Sequence, residues 1–132
     1  MPTVWLMSAP EFRLSSTVLG SSDPRGLAGF YRELLGWEVR VERPEWVVLR
    51  APSGAGLSFQ LEGGHVPPSW PAGPGDQQMQ AHLDIGVSDL SAGVARAQAL
   101  GATLADHQPQ DDVRVLIDPA GHPFCLFEAS AS

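Results

Sequence analysis

Apolar side chains recur at two different periods along this chain, and the switch between the periods divides it into elements. Leu83, Ile85 and Val87 alternate with His82, Asp84 and Gly86, the two-residue period of a strand with one buried face. Directly after them Ser88-Asp89 opens a stretch with Leu90, Val94, Ala97 and Leu100, the three-and-four spacing of an amphipathic helix. The same succession occurs about 66 positions earlier. There Ser16 to Asp23 lines up with His82 to Asp89, and the following stretch, Pro24 to Leu35, carries Leu27, Phe30, Tyr31, Leu34 and Leu35. An Asp stands at each predicted N-cap, Pro24 occupies the first turn of one copy, and each helix stops at a glycine, Gly36 or Gly101.

Three strands are predicted after each helix. They are Trp37 to Val41, Trp46 to Arg50 and Leu57 to Leu61 in the first half, and Ala102 to Ala105, Val113 to Ile117 and Phe124 to Phe127 in the second. The turn Ala51-Pro52-Ser53-Gly54 echoes Asp118-Pro119-Ala120-Gly121, and Phe59-Gln60-Leu61 echoes Phe124-Cys125-Leu126. Each half therefore reads strand, helix, strand, strand, strand. The stretch 63–80 is rich in Gly, Pro and Gln and has no period, so it reads as a linker between module one (about 12–62) and module two (about 81–128) of a single domain spanning 1–132. The expected class is α+β.

Composition narrows the chemistry. The chain has 132 residues, 43% hydrophobic and 17% charged, which fits one self-folding domain. Eight cationic side chains, all arginine, face fifteen acidic ones for a net charge of −7, so a binder of nucleic-acid phosphates is not expected and neutral or cationic ligands are. Without lysine there is no Schiff-base chemistry and no P-loop. The single Cys125 forms no internal disulfide, no leader is apparent in residues 1–12, and no apolar run reaches membrane-spanning length. A cytoplasmic protein is the expectation.

The phrases Asp-Pro-x-x-Leu-Ala-x-Phe-Tyr-x-x-Leu-Leu-Gly-Trp from Asp23, His-Leu-Asp-x-x-Val-x-Asp-Leu from His82 and Asp-Pro-Ala-Gly-His-Pro-Phe-Cys-Leu from Asp118 resemble the vicinal oxygen chelate superfamily, in its glyoxalase-like and bleomycin-resistance branch. The resemblance runs from about Phe12 to Glu128. It implies two βαβββ modules forming a cupped mixed sheet with the helices on the outer face. It also implies homodimers in which two chains build the ligand crevices, often with exchanged modules. Metal-dependent members place ligands on the first and last strand of each module, and the matching positions here are Ser16, Gln60, His82 and Cys125. Only His82 is a strong ligand and no carboxylate is among the four, so no metal and no other cofactor is expected.

The strand period independently sorts side chains between helix layer and cup. Leu83, Ile85 and Val87 fix the buried face, which turns His82 and Asp84 into the concavity. The same logic places Phe59 and Leu61 under one helix with Gln60 in the cup, and Phe124 and Leu126 under the other with Cys125 and Phe127 in the cup. Trp46, Val48 and Arg50 share one face of their strand and are further lining candidates. Each has a plainer alternative: a hydrogen-bonded structural His82, an exposed Asp84 paired with arginine, a Cys125 acting as a small hydrophobe. His122 reads as a turn residue, His65 and His107 as solvated loop residues. Trp37, Trp46, Trp70 and Phe59 read either as an aromatic wall for a flat ligand or as core.

Two functions follow, both with Ser16, Trp46, Gln60, His82, Asp84, Cys125 and Phe127 lining the cup. The first is a metal-independent protein that binds a small toxic or secondary metabolite, as antibiotic-sequestering relatives do. The alternative is a glyoxalase-type lyase or isomerase in which His82 is the catalytic base or sole strong metal ligand, Gln60 polarises a substrate oxygen and Asp84 orients the imidazole. Under either, Ser16, Gln60, His82 and Cys125 are expected to converge in one cavity.

Overall fold

Two copies of one topology, each a four-stranded sheet backed by a helix, make up the computed structural model, which describes residues 9–129. Most of the segment read as lacking a leader, residues 1–8, lies outside the described residues. Module one runs β1 (Ser16–Ser21), α1 (Pro24–Leu35), β2 (Glu38–Arg43), β3 (Trp46–Arg50) and β4 (Gly56–Leu61), with strand order β1-β4-β3-β2. Module two repeats it as β5 (Leu83–Val87), α2 (Leu90–Ala99), β6 (Thr103–Leu104), β7 (Val113–Ile117) and β8 (Pro123–Glu128), in the order β5-β8-β7-β6. In each, the first strand is parallel to the last and the other pairs are antiparallel. The class is α+β with open sheets.

Local chemistry explains the boundaries. Asp23 accepts from the Gly26 amide at 3.1 Å and Asp89 from the Ala92 amide at 3.0 Å, so both N-caps are filled by side-chain carboxylates. Gly36 ends α1 in the left-handed conformation at φ 71°. The second helix stops one residue sooner than the pattern predicts, with Leu100 as its cap and Gly101, at φ 120°, just beyond. Strand β6 shrinks from the expected four residues to Thr103–Leu104, both exposed. The segment 63–80 has no helix or strand, and no helix among the described residues is long and apolar enough to cross a membrane.

Helix α1 holds both modules together. Its Tyr31 is fully buried, stacks on Phe59 of β4 with centroids 5.8 Å apart, and meets Phe124 of β8 edge-on at 6.0 Å. Phe30 reaches the same Phe124 at 5.9 Å. The Tyr31 hydroxyl donates to Asp118 Oδ2 at 2.7 Å, while Asp118 Oδ1 accepts the amides of Ala120 and His122 at 2.9 Å each. Both helices contact the strands of their own sheet, leaving the opposite sheet faces free of helix. Leu61 departs from the predicted pattern: it is 45% exposed, because it is the last residue of β4, next to the connection at 62, where α1 no longer covers the strand.

Candidate functional site

Each sheet carries a depression on its helix-free face, and the two are chemically different. In module one, β3 buries Val47 and Leu49 and turns Trp46, Val48 and Arg50 outward, to line a depression of about 660 Å³. Strands β1 and β4 add Ser16, Val18 and Ser58. The Ser16 and Ser58 hydroxyls lie 2.7 Å apart, so buried Ser58 finds its partner within the site. Arg40 enters from β2 at a bulge, where Val39 pairs with Leu49 and Val41 already with Val48.

In module two, a depression of about 580 Å³ is lined by His82, Asp84, Cys125 and Phe127, with Asp111 and Asp112 from the loop before β7. Asp84 and Cys125 are partners in the parallel β5–β8 register, and His82 sits two residues before Asp84 on the same face. His82 Nε2 lies 2.9 Å from Asp84 Oδ1. Burial pushes the Cys125 thiol up from its usual range, and the charge of Asp84 and a hydrogen bond to it add to the rise. Cys125 therefore stays a thiol at neutral pH.

The expected convergence of four strand positions is not what the chain builds. Ser16 lines the module-one depression and His82 and Cys125 the other, because among the described residues no strand of one sheet pairs with a strand of the other. Gln60 lines neither depression: it is exposed near the end of β4, and its amide donates to Glu62 Oε1 at 2.8 Å. The aromatic wall reduces to Trp46 and, in the other module, Phe127. Phe59 is buried core, Trp37 packs against that core, and the Trp70 indole donates to the His107 carbonyl at 3.1 Å. Of the three histidines read as turn or loop residues, His107 is exposed as expected and the other two are structural. His122 Nε2 lies 2.7 Å from the Gly20 carbonyl oxygen, and His65, expected to be solvated, is half-buried with Nε2 2.8 Å from that of Ala120.

The carboxylate missing from the four matched strand positions is supplied by Asp84, which the strand period already turned into the cup. Asp84 brings an oxygen donor to the imidazole of His82 and the sulfur of Cys125, and the three ligating atoms lie within 4.8 Å of one another. One nitrogen, one oxygen and one sulfur suit a borderline cation such as Zn²⁺ once the thiol deprotonates, so the residues fit a metal that the four strand positions alone do not. Ser58, Arg40, Asp111 and Asp112 escaped sequence reasoning. Ser58 was within reach of it, standing two residues before Gln60 on the same face, whereas a bulge and an aperiodic loop leave no period to read.

Two modules of strand, helix and three further strands, each with an open sheet bearing a depression on one face, define a paired-module α+β class. The chain belongs to the glyoxalase-like domain family, whose model matches residues 16–127 and so spans both modules, and with it to the vicinal oxygen chelate superfamily. No curated protein sequence matches it significantly. Among solved structures it is similar to a glyoxalase/bleomycin resistance protein/dioxygenase family enzyme from Burkholderia phytofirmans, at TM-score 0.69 and 17% identity over 90% of this chain and 100% of that one. A glyoxalase-related enzyme from Fulvimarina pelagi gives 0.65 and 21% over 90% and 89%. The bleomycin-binding protein of Streptomyces verticillus, solved with copper(II)-bleomycin, gives 0.59 and 15% over 92% and 100%.

Proposed function

We propose that the protein binds a small organic molecule and does so as a homodimer, the module-one face of one copy closing over the module-two face of the other. The observation that carries the reading is the module-one depression. It is concave, of a volume suited to a small metabolite, and combines a half-buried aromatic wall at Trp46 with paired hydroxyls at Ser16 and Ser58. The edge strands β1 and β5 support the dimer, since each pairs on one side only among the described residues and an open edge calls for a partner. Small-molecule binding is supported by the bleomycin-binding neighbour of the same fold. Tryptophan fluorescence titrated with aromatic metabolites of cationic, neutral and anionic type tests it. Saturable binding without turnover is expected, and no saturation with any of the three up to millimolar concentration overturns it.

A second reading, a glyoxalase-type lyase or isomerase, is favoured by one specific observation, the His82, Asp84 and Cys125 cluster. His82 there acts as general base with its imidazole oriented by Asp84, or the three residues together hold a metal that polarises a substrate oxygen. Metal analysis of protein purified without chelator separates the readings. One equivalent of bound transition metal, lost in His82→Ala, supports the enzyme, and metal-free protein with unimpaired ligand binding removes the metal form of it.

A further inference from the structure

Cationic side chains are outnumbered by acidic ones in this chain, eight against fifteen, and two of its eight arginines, Arg40 and Arg50, line the module-one depression. No carboxylate lines that depression among the described residues. Other arginines are engaged elsewhere. Arg25 faces Glu42 at 3.6 Å, Arg96 faces Glu33 at 4.0 Å, and Arg114 donates to the carbonyls of Gln110 and Val113 at 2.9 Å. Arg40 and Arg50 are exposed and form no ion pair among the described residues, even though Glu38 stands opposite Arg50 in the β2–β3 ladder.

The bulge in β2 matters here. It breaks the alternation so that both Arg40 and its neighbour Val41 reach the same depression, which a regular strand would forbid. The net charge of −7 does not cancel the local effect, because screening confines each charge's influence to about 8 Å at physiological salt. The module-two depression has the opposite character, with Asp84, Asp111, Asp112 and Glu128 and, among the described residues, no arginine in its lining. An anionic group is therefore welcome on one face and repelled on the other.

We infer that the module-one depression binds a flat organic acid, its carboxylate held by Arg40 and Arg50 and its ring system against Trp46. Guanidinium is the side chain suited to this, being planar, always charged, weakly hydrated and able to pair with both carboxylate oxygens. Trp46 and Arg50 are four residues apart on the same face of β3, roughly 13 Å along the strand, a separation that a two-ring acid and the two side chains can together span. The Ser16 and Ser58 hydroxyls, already hydrogen-bonded to each other, offer a polar contact beside the ring rather than a second charge. This assignment rests on the small-molecule reading above and fixes its ligand class. It also reverses the expectation drawn from net charge, which favoured neutral or cationic ligands.

Calorimetric titration of the full chain with 1-naphthoate and with 1-naphthamide, which share a ring system and differ in charge, tests it. The acid is expected to bind at least about tenfold more tightly than the amide, with that preference shrinking as salt is raised. Arg50→Gln and Arg40→Gln should each reduce the preference severalfold, weakening the acid far more than the amide. Arg50→Lys, which keeps charge but not the planar fork, should restore it only in part. These positions are exposed, so circular dichroism is expected to show native folding in every variant. Equal binding of acid and amide, or a preference indifferent to both Gln variants, overturns the inference while the broader reading stands. Binding of neither probe also overturns it, and the wider metabolite titration then decides whether the small-molecule reading falls as well.

Discussion

Cys125 shows how a residue's reactivity is set by what the fold places beside it. Its thiol titrates above the usual range because burial disfavours the thiolate and the Asp84 carboxylate opposes a second negative charge. At neutral pH the thiolate fraction is then smaller than for a free cysteine, and iodoacetamide should modify the protein more slowly than a model thiol, with the rate climbing only at alkaline pH. Asp84→Asn removes the charge but not the burial, so it should speed alkylation part of the way to the model rate. An unchanged rate in that variant would break the assigned link between the two side chains. The register of β5 made the shared face of His82 and Asp84 readable in the sequence. That Cys125 lies directly across from Asp84 was not readable, since no local signal states which strand a strand pairs with.

Elements are held by interactions whose loss has a calculable direction. Gly56 starts β4 where a Cβ would run into the Leu49 carbonyl oxygen of β3, a backbone atom that cannot step aside. Gly56→Ala should therefore lower stability by roughly 1–3 kcal/mol and distort the end of the module-one depression, measurable by urea denaturation. Asp23→Ala removes the carboxylate that accepts the Gly26 amide and should cost about 1 kcal/mol in the same assay. Both helices, both N-caps and most strands were legible because each rests on neighbours a few residues apart. The short β6 and the bulge at Arg40 were not, because both depend on how β2 and β6 fit strands already in place.

At the scale of the molecule, the two modules are joined by a buried polar link as well as by aromatic packing. Tyr31 and Asp118 meet 2.7 Å apart in the core, and burial raises the Asp118 carboxyl above its ordinary range despite three hydrogen bonds that oppose the shift. A raised folded-state value means that the native protein holds this proton where the unfolded chain has lost it. The stability so contributed is complete below the ordinary carboxylate range and disappears as pH rises through the raised value. Asp118→Asn should flatten that part of the stability-versus-pH curve, and an unchanged slope would remove Asp118 as its source. Tyr31→Phe leaves the carboxylate short of a donor and should cost about 1.5–3 kcal/mol at neutral pH, less in acid. Light scattering at micromolar concentration should give twice the chain mass, and a monomer would count against the paired cup. What the sequence alone determined is the duplicated βαβββ plan and, Leu61 apart, the inward faces of β4, β5 and β8, since hydrophobic period, caps and repeat are local or self-similar signals. What only the tertiary structure decided is which of those faces carry chemistry together. It separated Ser16 from His82, sent Gln60 to Glu62, brought Asp84 to Cys125 and gathered two arginines in an acidic protein, because inter-strand register, bulges and sheet pairing are set by packing between distant segments.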